Sequence, residues 1–178
     1  MNKFSAIAII IAAVVLEITI APHLKLGGVF PNLPLVALAY ISLSAQRREV
    51  LAASLAGGLF LDLFSSFPFG VFIVIFVLIG MLLNESKYYL FARANFLIVL
   101  LAVFIATILF YLLSFLLLKI FVFWKMSQIK IFFKESIFFA MPKELLANLI
   151  AAIIISAALK IINKSFVKKV YGLRPNFL

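Results

Sequence analysis

The chain has 178 residues, of which 67% are hydrophobic and 12% charged, and its mean hydropathy is +1.29. Soluble globular domains carry about 25% charged residues, so this composition excludes an ordinary soluble domain and predicts an all-α membrane protein. We attribute the net charge of +10 to orientation of the chain and contact with anionic lipid headgroups, not to nucleic-acid binding. The sequence has no cysteine and one histidine, His23, which excludes disulfides, thiolate metal sites and clusters of imidazole ligands.

Six apolar segments predict six transmembrane helices in one membrane domain. The first segment contains Glu17 and is too long for the apolar part of a signal peptide, so we expect a retained span. The third and fourth segments are short for a hydrocarbon core about 30 Å thick, which predicts a short central pair of helices. The predicted spans are residues 4–21, 31–45, 50–64, 70–83, 95–118 and 143–162.

The charged residues predict the connections and the orientation. Residues 84–94 are expected to form a polar loop, and residues 163–178 a basic cytoplasmic tail. Residues 119–141 alternate Lys with aromatic side chains, which is typical of a segment in the membrane interface. With the N-terminus inside, ten of the 16 Lys and Arg residues are cytoplasmic, which favours an orientation with both termini inside.

Asp62 is the strongest functional candidate in the apolar segments. An ionisable group near the bilayer centre costs roughly 2.5–3.5 kcal/mol, so its side chain must face protein or water. Asp62 follows Gly58 by one helical turn and Ser54 by two, and Gly57 adjoins this stripe of small residues, which admits a neighbouring helix closely. The carboxylate either caps the fourth helix or the turn that ends at Gly70, or has a direct ligand or proton role.

Other polar residues in the apolar segments give weaker signals. Glu17 is expected near the outer end of the first helix, where it reaches the interface; an intramembrane role is the alternative. Asn148 and Ser156 form a polar stripe on the sixth segment, and Thr107 and Tyr111 form another on the fifth. Such stripes hold a bundle together or line a ligand cavity. The sequence contains no catalytic constellation or nucleotide loop, so we expect neither an enzyme nor a cofactor.

Two motifs in the first half of the chain resemble the rod-shape-determining MreD family of small bacterial inner-membrane proteins. The run Pro31-Asn32-Leu33-Pro34-Leu35 is similar to the family's PNLLL motif, with an additional proline. The run Gly58-Leu59-Phe60-Leu61-Asp62-Leu63 is similar to its GLLxDLL motif, and Gly70 corresponds to the glycine that opens the next helix. The second half of the chain resembles the family only in being apolar.

The resemblance implies a noncatalytic scaffold of the cell-wall elongation machinery. Proteins of the family associate with the single-span scaffold MreC, and through it with the filament MreB and peptidoglycan synthases. We expect the third and fourth helices to form the surface that receives the partner's helix. The structural or partner-binding candidates are Pro31, Asn32, Ser54, Gly57, Gly58, Asp62 and Gly70, with Asn148 and Ser156 as a second polar set.

The family is also similar in fold to the substrate-binding membrane components of energy-coupling-factor transporters, which are small six-helix proteins. This similarity leaves a rival function, the binding of a vitamin or metal beside a separate ATPase module. The rival predicts polar groups that converge near the outer face, for which Glu17, His23 and Asn32 are candidates. The small residues of the third segment would then dock the coupling subunit.

Overall fold

The computed structural model describes residues 3–20, 30–65, 67–90, 96–123 and 136–162, and within these ranges it contains six α-helices and no strand. The prediction of an all-α protein is therefore confirmed for this part of the chain. Two stretches within it, Phe96–Phe121 and Ala140–Ala158, are long and apolar enough to cross a membrane. The helices are α1 (Lys3–Ile20), α2 (Leu33–Ser44), α3 (Arg47–Phe64), α4 (Val71–Leu90), α5 (Phe96–Phe123) and α6 (Ser136–Ile162).

The helix α2 lies at the centre of the bundle and is the shortest of the six. Its residues from Pro34 to Ser42 are all buried, and it contacts each of the other five helices. Its 12 residues span roughly 18 Å at 1.5 Å per residue. A helix that is apolar on all sides is typical of this position, because every face packs against protein.

The helices α3 and α4 are not a short pair, contrary to the prediction. The helix α3 has 18 residues and begins at Arg47, where the sequence predicted a polar connection up to residue 50. Its first turn is capped because Glu49 Oε2 accepts a hydrogen bond from the backbone N–H of Gln46 at 3.0 Å. The polar residues thus form the start of the helix.

The helix α4 has 20 residues and continues to Leu90, although the sequence predicted a loop from residue 84. The reason is the buried Asn84, whose Nδ2 donates to the carbonyl oxygens of Ser42 at 2.8 Å and Ala45 at 3.1 Å. These bonds satisfy the orphan carbonyls at the C-terminal end of α2. The amide that led us to predict a loop therefore joins α4 to α2.

The segment predicted to lie in the interface, residues 119–141, is partly helical. The helix α5 continues to Phe123, and α6 begins at Ser136, so that Pro142 lies inside α6 and not at its start. The rest of that segment, residues 124–135, lies outside the described residues. The basic tail 163–178 and residues 21–29, which include His23, lie outside them as well.

The helix order defines two ends of the bundle. The C-terminal ends of α1 and α3 and the N-terminal ends of α2, α4 and α6 form what we call the Asp62 end. The opposite end, where α3 begins, is called the Gln46 end. Between them lies a hydrophobic core whose largest fully buried side chains include Phe76, Ile10 and Leu35.

Candidate functional site

Asp62 lies near the end of α3 and accepts hydrogen bonds from three backbone amides at the start of α4. Its Oδ2 accepts from the N–H groups of Gly70 at 3.0 Å and Ile73 at 3.1 Å, and its Oδ1 accepts from that of Phe72 at 2.9 Å. The first amides of a helix lack intrahelical acceptors, and the helix dipole favours negative charge there. The side chain is only 4% exposed, and its bonds are those that the capping interpretation of Asp62 requires.

Two adjacent glycines bring α3 against its neighbours. A Cβ atom added at Gly58 would lie 2.5 Å from Ile73 Cα and 2.8 Å from Ile73 N, so the backbones of α3 and α4 are in direct contact. A Cβ atom added at Gly57 would lie 2.6 Å from Cγ1 of Ile10, a side chain of α1. The small residues of the motif thus serve two different helix contacts.

Ser54 and Gly70 complete the junction between α3 and α4. Ser54 is fully buried, its hydroxyl donates to the carbonyl oxygen of Val50 at 2.8 Å, and a Cβ at Gly80 of α4 would meet this hydroxyl. Gly70 has a φ of +97°, which residues with side chains rarely adopt. This conformation belongs to the turn that delivers the Gly70 N–H to Asp62.

The stripe predicted on α3 therefore faces the interior of the protein. We call Ser54, Gly57, Gly58 and Asp62 the α3 inner face; all four residues are buried against α1 and α4. A second side of the helix, about 100° around its axis from the inner face, carries four exposed leucines at intervals of four residues, and we call it the α3 outer face. They are Leu51, Leu55, Leu59 and Leu63, with exposed fractions of 38%, 46%, 40% and 61%.

A second polar set joins α2, α5 and α6. Asn32 Oδ1 caps α2 by accepting from the N–H of Leu35 at 3.0 Å, and the Asn32 N–H donates to Asn148 Oδ1 at 2.6 Å. Asn148 Nδ2 donates in turn to Thr107 Oγ1 at 3.0 Å. Asn148 and Thr107 are fully buried, and Pro31, which precedes the cap, is buried too. These hydrogen bonds connect the N-terminal end of α2 to α6, and α6 to α5.

Ser156 makes a separate contact between α6 and α2. Its hydroxyl forms a hydrogen bond with the hydroxyl of Tyr40. Both hydroxyl oxygens also lie within hydrogen-bond distance of the carbonyl oxygen of Ala152, Tyr40 at 2.8 Å and Ser156 at 2.6 Å. Tyr40 was not among the predicted site residues, and its only signal in the sequence is a lone hydroxyl within an apolar helix.

A cavity of about 490 Å³ opens at the Asp62 end of the bundle, next to the N-terminal end of α2. Glu17 of α1 and Glu144 of α6 line it together with Asn32, and we call it the acidic cavity. In the parts of the chain that the structure covers, no Cα atom of α1 lies within 8 Å of a Cα atom of α6. Its apolar lining includes four aromatic rings, those of Phe30, Phe64, Phe72 and Phe110.

The two carboxyl groups of the acidic cavity differ in their partners. The Tyr111 hydroxyl donates to Glu144 Oε2, and the side chain of Asn32 contacts Glu144 as well. The backbone of Leu33 contacts Glu17, but Glu17 Oε2 is buried and accepts no hydrogen bond from the described part of the chain. Glu17 therefore faces an internal cavity, whereas the sequence favoured a side chain that only reaches the interface.

The model of the family described as rod shape-determining protein MreD matches residues 1–170. The chain belongs to this family. It is accordingly a membrane protein with a role in cell shape, and the match includes the second half of the chain, where the motifs carried no resemblance. Comparisons with curated proteins and with solved structures gave no match.

The candidate residues of this MreD-family protein fall into separate groups. The α3 inner face and Gly70 form one group around the start of α4, and Pro31, Asn32 and Asn148 form a second around the start of α2. Ser156 lies apart from both, toward the Gln46 end. The acidic cavity borders the first two groups, since Asn32 and Phe72 both line it.

Proposed function

We propose that this MreD-family protein is a noncatalytic scaffold of the cell-wall elongation machinery that binds the transmembrane helix of a single-span, MreC-like partner. Through that partner it would connect to an MreB-like filament and to peptidoglycan synthases. Family membership supports the role in rod-shape determination. The observation that carries the partner-binding proposal is the α3 outer face. It is an exposed row of leucines on a helix that Asp62 holds against α4.

The residues first considered for partner binding act indirectly in this proposal. Asp62 and Gly58 hold α3 against α4, so the outer face presents one fixed arrangement of side chains. A rigid surface loses less conformational entropy on binding than a mobile one. The inner face therefore supports the contact, and Leu55 and Leu59 in the middle of the row would make it.

The scaffold would cross the bacterial inner membrane six times with both termini in the cytoplasm. The 18 residues of α3 and 20 residues of α4 reach roughly 27–30 Å, which is sufficient for a hydrocarbon core about 30 Å thick. Arg47, Arg48 and Lys87 lie at the Gln46 end, which favours a cytoplasmic position for that end. The Asp62 end would then face the periplasm.

The test is affinity purification of the tagged protein from mildly solubilised host membranes, followed by mass spectrometry. We expect an MreC-like protein to copurify with the wild type and to be largely lost from Leu59→Trp, which alters the shape of the outer face but keeps it apolar. Leu101→Trp is the matched control, because Leu101 on α5 is exposed to a similar extent, 47% against 40% for Leu59. Equal recovery of the partner with both variants would exclude the α3 outer face as the binding surface.

The acidic cavity favours a second candidate function, the substrate-binding component of an energy-coupling-factor transporter for a vitamin or metal. That function requires polar groups that converge near the outer face, and Glu17, Asn32 and Glu144 converge in one cavity at the Asp62 end. The same purification distinguishes the two functions. Recovery of paired ATPases with a coupling subunit, in place of an MreC-like protein, would favour the transporter.

A further inference from the structure

We infer that the acidic cavity is a binding site for a primary ammonium group, carried by a small organic amine or by a lipid headgroup. The inference goes beyond the scaffold function and does not depend on it. It rests on three features of the cavity: the position of its two carboxyl groups, the unsatisfied oxygen of Glu17 and the character of its walls.

Glu17 of α1 and Glu144 of α6 line the same space from two helices that have no Cα atoms within 8 Å of each other in the described structure. Two ionised carboxylates that face each other across an apolar space repel, and burial adds a desolvation cost to each. A cation between them relieves both effects. No Lys or Arg is among the lining residues that the structure describes.

The hydrogen-bond pattern indicates what kind of cation fits. Glu144 already interacts with Tyr111 and Asn32, whereas the buried Glu17 Oε2 has no donor in the described chain. A ligand that satisfies this oxygen must bring an N–H or O–H group, and positive charge on the ligand strengthens the bond. A primary ammonium has three such donors, while a quaternary ammonium has none.

The walls suit an organic ligand. The rings of Phe72 and Phe110 stack with centroids 5.9 Å apart, and both border the cavity, where aromatic faces attract cations. The volume of about 490 Å³ lies within the range of small-molecule sites. Within the described ranges no group of three potential metal ligands occurs, so the donor set favours an ammonium over a metal ion.

The first experiment measures the thermal unfolding of the purified full-length protein with n-butylammonium chloride, at ionic strength matched with sodium chloride. We expect a concentration-dependent increase in the unfolding midpoint, because a ligand that binds only the folded state stabilises it. Tetramethylammonium chloride carries the charge without N–H donors and should give no increase. An equal increase with tetramethylammonium, or none with n-butylammonium, would overturn the proposal.

Variants then locate the site. Glu17→Gln should abolish the increase, and Ala140→Phe should abolish it as well by filling the cavity from α6 without changing a carboxyl group. Glu85→Gln is the matched control, because Glu85 is an exposed carboxylate at the Gln46 end, and it should retain the increase. An n-butylammonium effect that persists in both Glu17→Gln and Ala140→Phe would place binding elsewhere and refute the inference.

A second arm identifies the source of the ammonium group. The protein is exchanged into nanodiscs with equal amounts of phosphatidylethanolamine and phosphatidylcholine, and the lipids retained after extraction are quantified. Retention of phosphatidylethanolamine by the wild type but not by Ala140→Phe would identify a lipid headgroup. Unselective retention, together with the n-butylammonium effect, would identify a soluble amine.

Discussion

At the scale of single residues, Asp62 shows how a carboxylate can be retained in an apolar bundle for a structural purpose. Its two oxygens accept from three amides that begin α4, and the side chain is almost completely buried. The charge is therefore balanced by backbone dipoles of a neighbouring helix. This arrangement explains why the motif joins an acidic residue to a glycine eight residues later: the turn between them returns the chain to the same carboxylate.

Asp62→Leu tests this structural role. The variant leaves three buried N–H groups without an acceptor, and each unsatisfied buried donor costs about 1–3 kcal/mol. We expect the free energy of unfolding to fall by at least about 3 kcal/mol, with a smaller loss for Asp62→Asn, which keeps one acceptor oxygen. The measurement is chemical unfolding of the purified protein in detergent.

The control for Asp62→Leu is Glu85→Leu, which also replaces a carboxylate on a helix. Glu85 pairs with Arg47 at 3.3 Å, but both side chains are about half exposed or more, so the pair contributes little. Equal stability losses in the two variants would contradict the capping role. If Asp62→Leu also lost the partner in the affinity purification, that loss could not then be attributed to a weakened junction between α3 and α4.

At the scale of the helices, the junction of α3 with α4 is a contact between two backbones. Gly58→Ala places a methyl group against backbone atoms of Ile73, which cannot move without displacing α4. Gly57→Ala meets side-chain atoms alone, Cγ1 of Ile10 at 2.6 Å and Cδ1 of Phe76 at 3.4 Å. We expect Gly58→Ala to cost about 1–3 kcal/mol and Gly57→Ala distinctly less, since overpacking is less severe where a side chain can yield.

Thermal unfolding of the two alanine variants side by side checks this expectation. The substitutions are identical and adjacent in sequence, so their intrinsic effects on helix propensity cancel in the comparison. A larger loss for Gly57→Ala would show that the contact between α1 and α3 limits stability. In that case the contact between α3 and α4 would tolerate an added methyl group better than the contact between α1 and α3.

The polar set on α6 gives a prediction about coupling between helices. Asn148 donates to Thr107 of α5 at 3.0 Å, so a double-mutant cycle of Asn148→Ala and Thr107→Val should show a coupling free energy. Interhelical hydrogen bonds of membrane proteins contribute about 0.6 kcal/mol on average, and we expect a value of that order. Ser156 on the same helix bonds to Tyr40 instead, so Ser156→Ala should not couple to Thr107→Val.

The sequence predicted that these segments are apolar helices better than it predicted the residues at which the helices begin and end. Apolar composition and motif order were sufficient for the all-α class and for the inward orientation of Asp62, since both follow from local properties. The start of α3 and the end of α4 were not predictable in this way, because Asn84 extends α4 through bonds to residues about 40 positions earlier in the chain. Helix propensity carries no information about such partners.

The acidic cavity was predicted only in part, for a similar reason. The transporter interpretation named Glu17 and Asn32 as groups that could converge near the outer face, but Glu144, far from both in sequence, was not a candidate. Only the arrangement of α1 and α6 on two sides of α2 brings them to one space. A stripe on one helix was detectable from the sequence; a site shared by three helices was not.

At the scale of the whole molecule, the central position of α2 organises both ends of the bundle. Its N-terminal end supplies Asn32 to the polar set and to the acidic cavity, and its C-terminal carbonyls accept from Asn84. Lys87 Nζ adds a hydrogen bond to the carbonyl oxygen of Ala45 at 2.5 Å. The Gln46 end thus carries Arg47, Arg48 and Lys87, whereas Asp62 and the two carboxyl groups of the acidic cavity lie at the Asp62 end.

This difference between the ends predicts the orientation in the membrane. The chain contains no cysteine, so a single introduced cysteine is a unique target for a membrane-impermeant maleimide. Arg48→Cys marks the Gln46 end and Lys143→Cys the Asp62 end, and both replace an exposed basic residue. We expect Lys143→Cys to react in intact spheroplasts and Arg48→Cys only after permeabilisation, because basic residues remain on the cytoplasmic side.

The opposite labelling pattern would reverse the orientation and would also change the meaning of the acidic cavity. In the predicted orientation the cavity opens toward the periplasm, where it is accessible to amines outside the cell and to outer-leaflet lipids. In the reversed orientation it would open toward the cytoplasm and its soluble amines. Labelling of both cysteines in intact spheroplasts would place the two ends on one side, which is incompatible with α3 crossing the membrane between Arg48 and the Asp62 end.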